Sequence, residues 1–248
     1  MKKALILSGG GARCVAQLGY VSYLKEMGIE FDLFSGSSGG ALVAAFLAKG
    51  YDPFEAYQII KKINFKKLIK FNFKRNSLFH LKKAVLFLED EYGLKSFDDL
   101  EKKLFVCVTD YESYETLYIN SGQLAHCLMA SCSLIPLFEP YMIEDRLFID
   151  GGFSDNLPVT PCLKSDFTLC INVNPPLRLK NSFFANFYRA AFILLNSNIK
   201  YSKDKSDKFV EIQECGEFSI FDTKNFDRIY KAGLQKAKKD REYWLGCF

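Results

Sequence analysis

The chain has 248 residues, of which 49% are hydrophobic and 25% charged, and its formal net charge is +4. This composition is that of a globular protein and excludes a disordered or collagen-like chain. No run of 18 apolar residues occurs, so the sequence predicts no transmembrane helix.

The amino terminus and the cysteines indicate a compartment. The first apolar run spans only residues 4–7 before glycines end it, which is too short for the core of a signal peptide. We therefore expect a cytoplasmic protein in which the eight cysteines are free thiols. His126, Cys127 and Cys132 lie close together, but the chain has only two histidines and no Cys-x-x-Cys pair. No metal site is predicted.

Two short strands each lead into a glycine-rich turn and a helix. Residues 4–7 predict a buried strand, after which residues 9–11, all glycine, turn the chain into a helix that ends at Gly28. Residues 31–35 predict a second strand. It enters residues 36–40 (Gly-Ser-Ser-Gly-Gly), and a helix follows until Gly50.

A basic and aromatic stretch follows at residues 61–83. It holds nine Lys or Arg residues, no Asp or Glu, and four phenylalanines. Basic residues mixed with aromatics suit an anionic surface, either a membrane or a nucleic acid. The alternative is a solvated helix face with phenylalanines in the core. We treat the stretch as a possible contact with an anionic membrane.

The remaining elements alternate between strands and helices. Helices are predicted from Asp52, over residues 81–88, 124–131 and 184–199, and from Phe226; strands are predicted over residues 105–108, 116–120, 147–150 and 167–173. This order predicts one domain over residues 1–248, with a three-layer α/β/α fold and a largely parallel central sheet. Sites in such folds form at the carboxyl ends of the strands, where the glycine-rich motifs lie.

Ser38 is the predicted nucleophile. It is the central residue of a G-x-S-x-G pattern from Gly36 to Gly40, with a strand before it and a helix after it. In such an elbow the serine takes a strained conformation, and the glycines avoid clashes with neighbouring elements. Its hydroxyl then lies at the positive end of a helix, which favours a developing alkoxide. A helix entry built from small residues for packing is the structural alternative.

The first glycine motif predicts an anion site. Gly9, Gly10 and Gly11 expose backbone N–H groups that suit an oxyanion or a phosphate. A dinucleotide fingerprint fits less well, because Cys14 stands at the sixth position and the acidic residue about 20 positions on, Asp32, lies at the start of the second strand and does not end it. No Gly-Lys-Ser/Thr follows either, so a P-loop is disfavoured. Arg13 could hold this loop, meet a lipid phosphate, or be an ordinary surface residue.

Asp150 is the predicted general base, because no histidine follows His126 and the Ser-Asp-His order of α/β-hydrolases therefore fails. Asp150 ends a predicted strand and is followed by Gly151 and Gly152, which allow close approach of another backbone. A carboxylate within hydrogen-bond reach of Ser38 could take its proton directly if burial raises its basicity. A common Asp-Gly turn is the structural alternative.

Together the three motifs resemble the patatin-like phospholipase family. That family has a Gly-rich oxyanion loop, a G-x-S-x-G elbow and a D-G-G/A aspartate in this order, here at residues 9–13, 36–40 and 150–152. Segments similar to the family also occur at residues 106–110, 130–140 and 156–159. One departure is Cys14 in place of the usual last glycine of the first motif. Since Cys is small, we expect tighter helix packing and an intact loop.

The resemblance implies a serine acyl-hydrolase of the phospholipase A, lysophospholipase or carboxylesterase type. The dyad would be Ser38 and Asp150, with the oxyanion loop at Gly9, Gly10, Gly11 and Arg13. The substrate would be a phospholipid or another fatty-acyl ester, with no metal, cofactor or nucleic acid. An acyltransferase with the same dyad, a nucleotide-binding protein and a non-catalytic scaffold remain as alternatives.

Overall fold

The computed structural model describes residues 1–63, 70–71, 79–80, 82–176, 193 and 197–247. The strands in these ranges are β1 (Lys3–Leu7), β2 (Leu33–Ser37), β3 (Lys70–Phe71), β4 (Phe79–His80), β5 (Lys103–Asp110), β6 (Thr116–Ile119), β7 (Tyr141–Ile143), β8 (Arg146–Asp150), β9 (Phe167–Asn172) and β10 (Lys208–Glu211). The α-helices are α1 (Val15–Glu26), α2 (Gly39–Ala48), α3 (Pro53–Lys62), α4 (Lys82–Tyr92), α5 (Leu124–Ser131), α6 (Ile199–Lys205), α7 (Phe226–Lys239) and α8 (Arg241–Cys247).

One eight-stranded sheet organises the fold. Its hydrogen-bonded neighbours follow the path β10-β9-β1-β2-β5-β8-β7. Strands β2 and β8 pair with successive parts of one edge of β5, and β6 pairs with the other edge. Strands β10, β9, β1, β2 and β5 pair in parallel, whereas β6, β7 and β8 pair antiparallel. Strands β3 and β4 form a separate pair. The parallel half places the carboxyl ends of β1, β2 and β9 at one edge, where the glycine-rich turns begin.

The central strand β1 is buried on both faces, as its apolar run predicts. Leu5 and Leu7 belong to a large core with residues of α1, α2, α5 and α7. Ala4 and Ile6 belong to a smaller core on the other face, together with Ile199 of α6. Helices therefore cover both faces of the sheet, which confirms the predicted α/β architecture.

The observed strands differ from the predicted ones in a few places. Strand β2 lies two residues later than predicted, because pairing with β5 continues through Gly36 and Ser37. Strands β7 and β10 were not predicted, since three and four residues carry little periodicity. Most of the basic stretch at residues 61–83, and the predicted helix over residues 184–199 apart from its end, lie outside the described residues.

Two further properties concern the described helices and cysteines. No helix in the described ranges is both long and apolar enough to cross a bilayer. All eight cysteines lie within these ranges and each is a free thiol. The free thiols agree with the expectation from the sequence.

Candidate active site

Two strands end against the same edge of β5. Ser37, the last residue of β2, pairs with Cys107, and Asp150, the last residue of β8, pairs with Val108. Strand β6 pairs with residues 106–109 and therefore takes the opposite edge of β5. Since β2 and β8 run in opposite directions along one edge, their ends meet. The chain immediately after Ser37 is thereby brought beside Asp150.

Ser38 forms a strained elbow between β2 and α2. Its backbone angles are φ 51° and ψ −129°, a region that costs a non-glycine residue free energy. The neighbouring glycines make the turn possible: a Cβ on Gly36 would lie 2.7 Å from backbone atoms of α2, and one on Gly40 would lie 2.4 Å from the Ser8 carbonyl oxygen. The helix that starts here directs its positive end toward the serine.

Ser38 is held through both its side chain and its backbone N–H. The Ser38 hydroxyl donates to Oδ2 of Asp150 at 2.7 Å. The Ser38 N–H donates to the Ser131 hydroxyl at 2.8 Å, and that hydroxyl donates to the Cys107 carbonyl oxygen at 2.6 Å. Ser131 thus ties the elbow to β5. The predicted nucleophile and its predicted base are already in hydrogen-bond contact, as direct proton transfer requires.

Asp150 is a buried carboxylate with both oxygens engaged. Its exposure is 3%, and its second oxygen, Oδ1, accepts the Gly152 N–H at 2.7 Å. Burial raises the pKa of Asp150 to about 6, against the hydrogen bonds from Ser38 and Gly152, which favour the charged form. The carboxylate is therefore ionised at neutral pH and more basic than an exposed aspartate. These are the properties of a general base.

The main chain around Asp150 is fixed on both sides. Its N–H donates to the Ser133 carbonyl oxygen at 3.1 Å, and its own carbonyl oxygen accepts the Thr109 hydroxyl at 3.0 Å. Gly151 lies so close to β5 that a Cβ there would be 2.2 Å from the Cys107 carbonyl oxygen. The glycines after the aspartate thus permit the close backbone approach that the sequence predicted.

The first glycine motif lies against the elbow. A Cβ placed on Gly9 would be 3.0 Å from the Ser38 Cβ. The Gly9 N–H donates to the Asn156 carbonyl oxygen at 3.1 Å. Within the described part of the chain, the N–H groups of Gly10 and Gly11 donate to no protein acceptor. Gly10 and Gly11, rather than Gly9, therefore have donors available to a developing oxyanion.

The loop is closed from the far side by residues 218–220. The Ala12 N–H donates to the Ile220 carbonyl oxygen at 2.8 Å. Gly11 has φ 56°, and a Cβ there would lie 2.3 Å from that same oxygen. Only glycine satisfies both the angle and the approach.

Arg13 is buried, at 1% exposure, and its Nε donates to the Phe218 carbonyl oxygen at 2.7 Å. The interpretation of Arg13 as a surface residue is wrong, because the helix start turns its side chain inward. The contact favours a role in holding the loop over one in meeting a lipid phosphate.

Cys14 fills the space beneath the loop. It is 2% exposed, and its Sγ donates to the Ser8 carbonyl oxygen at 3.5 Å. A Cβ on Gly39 would lie 3.0 Å from this sulfur, so the thiol packs directly below the elbow. Burial raises the pKa of the Cys14 thiol, which keeps it protonated and unreactive. The departure from the family pattern is accommodated by packing and leaves the glycine loop in place.

Other candidate residues lie away from the reacting groups. His126 Nδ1 is 3.0 Å from the Tyr141 hydroxyl, and this pair links α5 to β7. Asp32 accepts the Lys3 N–H at 2.9 Å, so it lies at the amino end of β1, opposite the glycine loop. Among the residues the structure describes, no cluster of three or more His, Cys, Asp or Glu could hold a metal.

Some residues that shape the site had no predicted role. Ser131 and Asn156 contact the elbow and the glycine loop respectively. In the sequence they belong only to segments that are similar to the family, without a motif of their own. The Ser131 contact joins residues 93 positions apart. No short pattern reports such a bond, since it depends on how α5 packs against β5.

Known proteins are similar to this chain in sequence. A family model described as patatin-like phospholipase matches residues 5–163. Lysophospholipase NTE1 of Scheffersomyces stipitis is 32% identical over 276 aligned positions, covering 97% of this chain. Lysophospholipase nte1 of Aspergillus oryzae is 31% identical over 164 positions, covering 63% of this chain. The chain spans only 18% and 10% of the length of these two relatives.

Solved structures share the fold. VipD from Legionella pneumophila superposes with a TM-score of 0.64 at 15% identity, covering 96% of this chain and 66% of that one. The type III effector protein ExoU superposes with a TM-score of 0.52 at 15% identity, covering 96% of this chain and 52% of that one. With the serine elbow, the buried aspartate and the glycine loop assembled at one sheet edge, and with the family model covering most of the sheet, this chain belongs to the patatin-like phospholipase family.

Proposed function

We propose that this chain hydrolyses carboxylic esters of lipids, with Ser38 as nucleophile and Asp150 as general base. The observation that carries the proposal is the 2.7 Å hydrogen bond from the Ser38 hydroxyl to Asp150, made by a serine in a strained elbow. Strain of this kind concentrates at functional sites. The raised pKa of Asp150, about 6, supports the same assignment.

In the acylation step, Asp150 takes the proton of the Ser38 hydroxyl while Oγ attacks the ester carbonyl carbon. The carbonyl oxygen becomes an oxyanion, which the N–H groups of Gly10 and Gly11 stabilise. The C–O bond to the alcohol then breaks, and the alcohol leaves with the proton from Asp150. An acyl group remains on Ser38. Loss of one oxyanion donor lowers such rates by about 100- to 1000-fold.

In the deacylation step, Asp150 acts again as the base. It takes a proton from a water molecule, whose oxygen attacks the acyl carbon. The oxyanion forms at the same N–H groups, the bond to Ser38 Oγ breaks, and Oγ recovers a proton from Asp150. The fatty acid leaves, and the starting state of the dyad is restored.

The proposed substrate class is a phospholipid or lysophospholipid. It rests on the family and on relatives named lysophospholipase, of which this chain matches only a part. Transfer of the acyl group to an alcohol in place of water is the second candidate, because it uses the same acyl-enzyme. Acyl transfer to an added acceptor alcohol faster than hydrolysis would favour that activity.

Nucleotide binding has less support. The acidic residue that a dinucleotide site would need, Asp32, lies at the amino end of the strands and bonds to Lys3. Arg13 points into the interior instead of toward a phosphate site. A screen of nucleotides by thermal shift tests this candidate function. A reproducible rise in melting temperature with a nucleotide would support nucleotide binding.

Peripheral contact with an anionic membrane is proposed from the sequence of residues 61–83 alone. Nine basic residues without an acidic one favour anionic lipid by electrostatic attraction. Sedimentation with liposomes of neutral or anionic lipid tests it. Equal binding to both liposome types would contradict the proposed contact with anionic membranes.

We also propose that residues 1–248 act as one domain in a reducing compartment such as the cytoplasm. Strand β10 and helix α7, which follow residue 163, complete the same sheet and core as β1 and α1. Eight free cysteines are typical of a reducing compartment.

The first experiment is hydrolysis of p-nitrophenyl esters of several chain lengths by the wild type, Ser38→Ala and Asp150→Asn. Matched controls are Ser37→Ala and Asp155→Asn, which change a buried serine and a buried aspartate beside the dyad. Loss of activity in the two dyad variants, with both controls active, supports the proposal. An active Asp150→Asn enzyme would show that Asp150 is not the base. An inactive wild type would contradict the proposed hydrolysis of these esters.

A further inference from the structure

We propose that Asn174 is a positioning residue that sets the direction of the Gly10 N–H, one of the two N–H groups proposed above to stabilise the oxyanion. The inference rests on the proposed hydrolase function and adds to it a residue outside all three glycine-rich motifs and outside the residues matched by the family model. The juxtaposition that carries it is the side-chain amide of Asn174 against the carbonyl of Gly9.

Asn174 lies just beyond the end of β9, beside the end of β1. Its side-chain Nδ2 donates to the Gly9 carbonyl oxygen at 2.5 Å. Its backbone N–H donates to Oδ1 of Asn172 at 3.1 Å, which fixes the backbone from which the side chain projects. The residue is 6% exposed, so water does not compete freely for the contact. The amide is therefore held rigidly against the glycine loop.

This contact controls the next N–H group through the peptide plane. In a trans peptide the C=O of one residue and the N–H of the next point in opposite directions and rotate together. Holding the Gly9 carbonyl toward Asn174 therefore turns the Gly10 N–H to the opposite side. The Gly9 N–H is held as well, by the Asn156 carbonyl oxygen at 3.1 Å. Glycine alone would rotate freely about these bonds, and the two contacts remove that freedom.

The other atom of the same amide argues against a purely structural role. Oδ1 of Asn174 is buried and accepts no hydrogen bond from the residues that the structure describes. A buried acceptor left without a partner destabilises the folded state. The unsatisfied Oδ1 therefore lowers the stability of the folded protein, while Nδ2 of the same amide orients the glycine loop. Unsatisfied buried groups of this kind are expected where function, not stability, requires the residue.

The test compares kcat and KM of the wild type and Asn174→Ala on an oxygen ester and on the matching thionoester, whose C=S accepts hydrogen bonds poorly. Asn174→Ser is a second variant, in case alanine prevents folding. Thr168→Val is the control: Thr168 is 3% exposed and bonds to Asp207 near the amino end of β9, so its replacement lowers stability without touching the loop. Melting temperatures confirm that each variant is folded.

We expect kcat for the oxygen ester to fall about 10- to 100-fold in the Asn174 variants. This is less than the loss of about 100- to 1000-fold for a removed oxyanion donor, because the Gly10 N–H is misdirected and not removed. KM should change less than about threefold, and the preference for the oxygen ester over the thionoester should fall by a similar factor to kcat. The control should keep the wild-type preference.

An unchanged preference in folded Asn174 variants would overturn the assignment, whatever happens to their stability. A wild type that hydrolyses neither ester would overturn the proposed function first, and the role of Asn174 with it. If the wild type hydrolyses both esters and Ser38→Ala hydrolyses neither, the proposed function stands. The ester preference of the Asn174 variants then tests the positioning role independently.

Discussion

Ser38 and Asp150 are 112 residues apart in the chain, yet their side chains form a 2.7 Å hydrogen bond because β2 and β8 end against each other on one edge of β5. The parallel strand β2 leads to Ser38, the proposed nucleophile, from one direction, and the antiparallel strand β8 ends at Asp150, the proposed base, from the other. The dyad therefore depends on a single short stretch of β5, at Cys107 and Val108. Because the hydroxyl and the carboxylate are in direct contact, the proposed mechanism requires no histidine between them.

The pH dependence of hydrolysis follows from Asp150. Since the carboxylate must be ionised to take the Ser38 proton, kcat/KM should fall about tenfold per pH unit below the Asp150 pKa of about 6. The rate profile of a neutral ester between about pH 4 and pH 9 measures it. A midpoint near 4, the value of an exposed aspartate, would contradict the burial argument.

Asp150→Asn should increase stability while it removes activity. The folded-state pKa of Asp150 is raised from 3.8 to about 6. Above pH 6 the buried carboxylate is ionised and destabilises the folded state, whereas below pH 4 it is protonated and this destabilisation is absent. At about 1.4 kcal/mol per pKa unit, the variant should gain about 1–3 kcal/mol at pH 8 and nothing near pH 4. Urea unfolding at both pH values measures the difference.

Asp110→Asn is the opposite case. Hydrogen bonds from the backbone at Ser113 and from Arg146 lower the pKa of Asp110 to about 2. The ionised group therefore stabilises the fold above pH 4, and this stability is lost as the pH falls toward 2. Asp110→Asn should be less stable than the wild type at pH 8. If both variants shift stability in the same direction, the electrostatic explanation is incorrect.

Ser131→Ala should weaken both the elbow and catalysis. It removes the acceptor of the Ser38 N–H and the donor to the Cys107 carbonyl, which should lower stability by about 1–3 kcal/mol. Displacement of Ser38 should reduce kcat by about 10- to 100-fold. Ser133→Ala is the control, because among the described residues the Ser133 hydroxyl donates to the Met129 carbonyl oxygen of the same segment and does not contact the elbow. Steady-state kinetics that fail to separate the two variants would exclude this role.

Gly40→Ala should prevent folding or cost several kcal/mol. The Cβ of the alanine would lie 2.4 Å from the Ser8 carbonyl oxygen and 2.6 Å from that of Leu7. These backbone atoms lie at the end of the buried strand β1, so moving them would disrupt the packing of the core. Gly246→Ala is the control, since no atom of the described residues lies within 4 Å of its Cβ position. Expression yield and melting temperature report both. A well-folded Gly40→Ala protein would show that α2 can separate from β1.

Cys14→Gly tests the departure from the family pattern. Glycine restores the usual residue but leaves a gap beneath Gly39 and adds backbone freedom, so stability should fall by about 1 kcal/mol or more. Hydrolysis should stay within about threefold of the wild type, because the loop donors at Gly10 and Gly11 are unchanged. Activity that rises or falls by tenfold would show that the thiol affects the reaction.

The sequence by itself determined the identities of the candidate catalytic residues and their places on strand ends. The strand, turn and helix over residues 33–48 and the strand end at Asp150 follow from local apolar runs and glycines, which depend on neighbours in the chain. Local patterns also predicted the burial of β1 and the helices on both faces of the sheet.

Only the tertiary structure decided how these parts act on one another. The register that aligns Ser37 with Cys107 and Asp150 with Val108, the inward turn of Arg13 and the contacts of Ser131 and Asn174 join residues distant in sequence. Such contacts are set by packing between elements, which no local pattern encodes. The raised pKa of Asp150 has the same origin, because burial by the assembled fold, not the residue type, disfavours its charge.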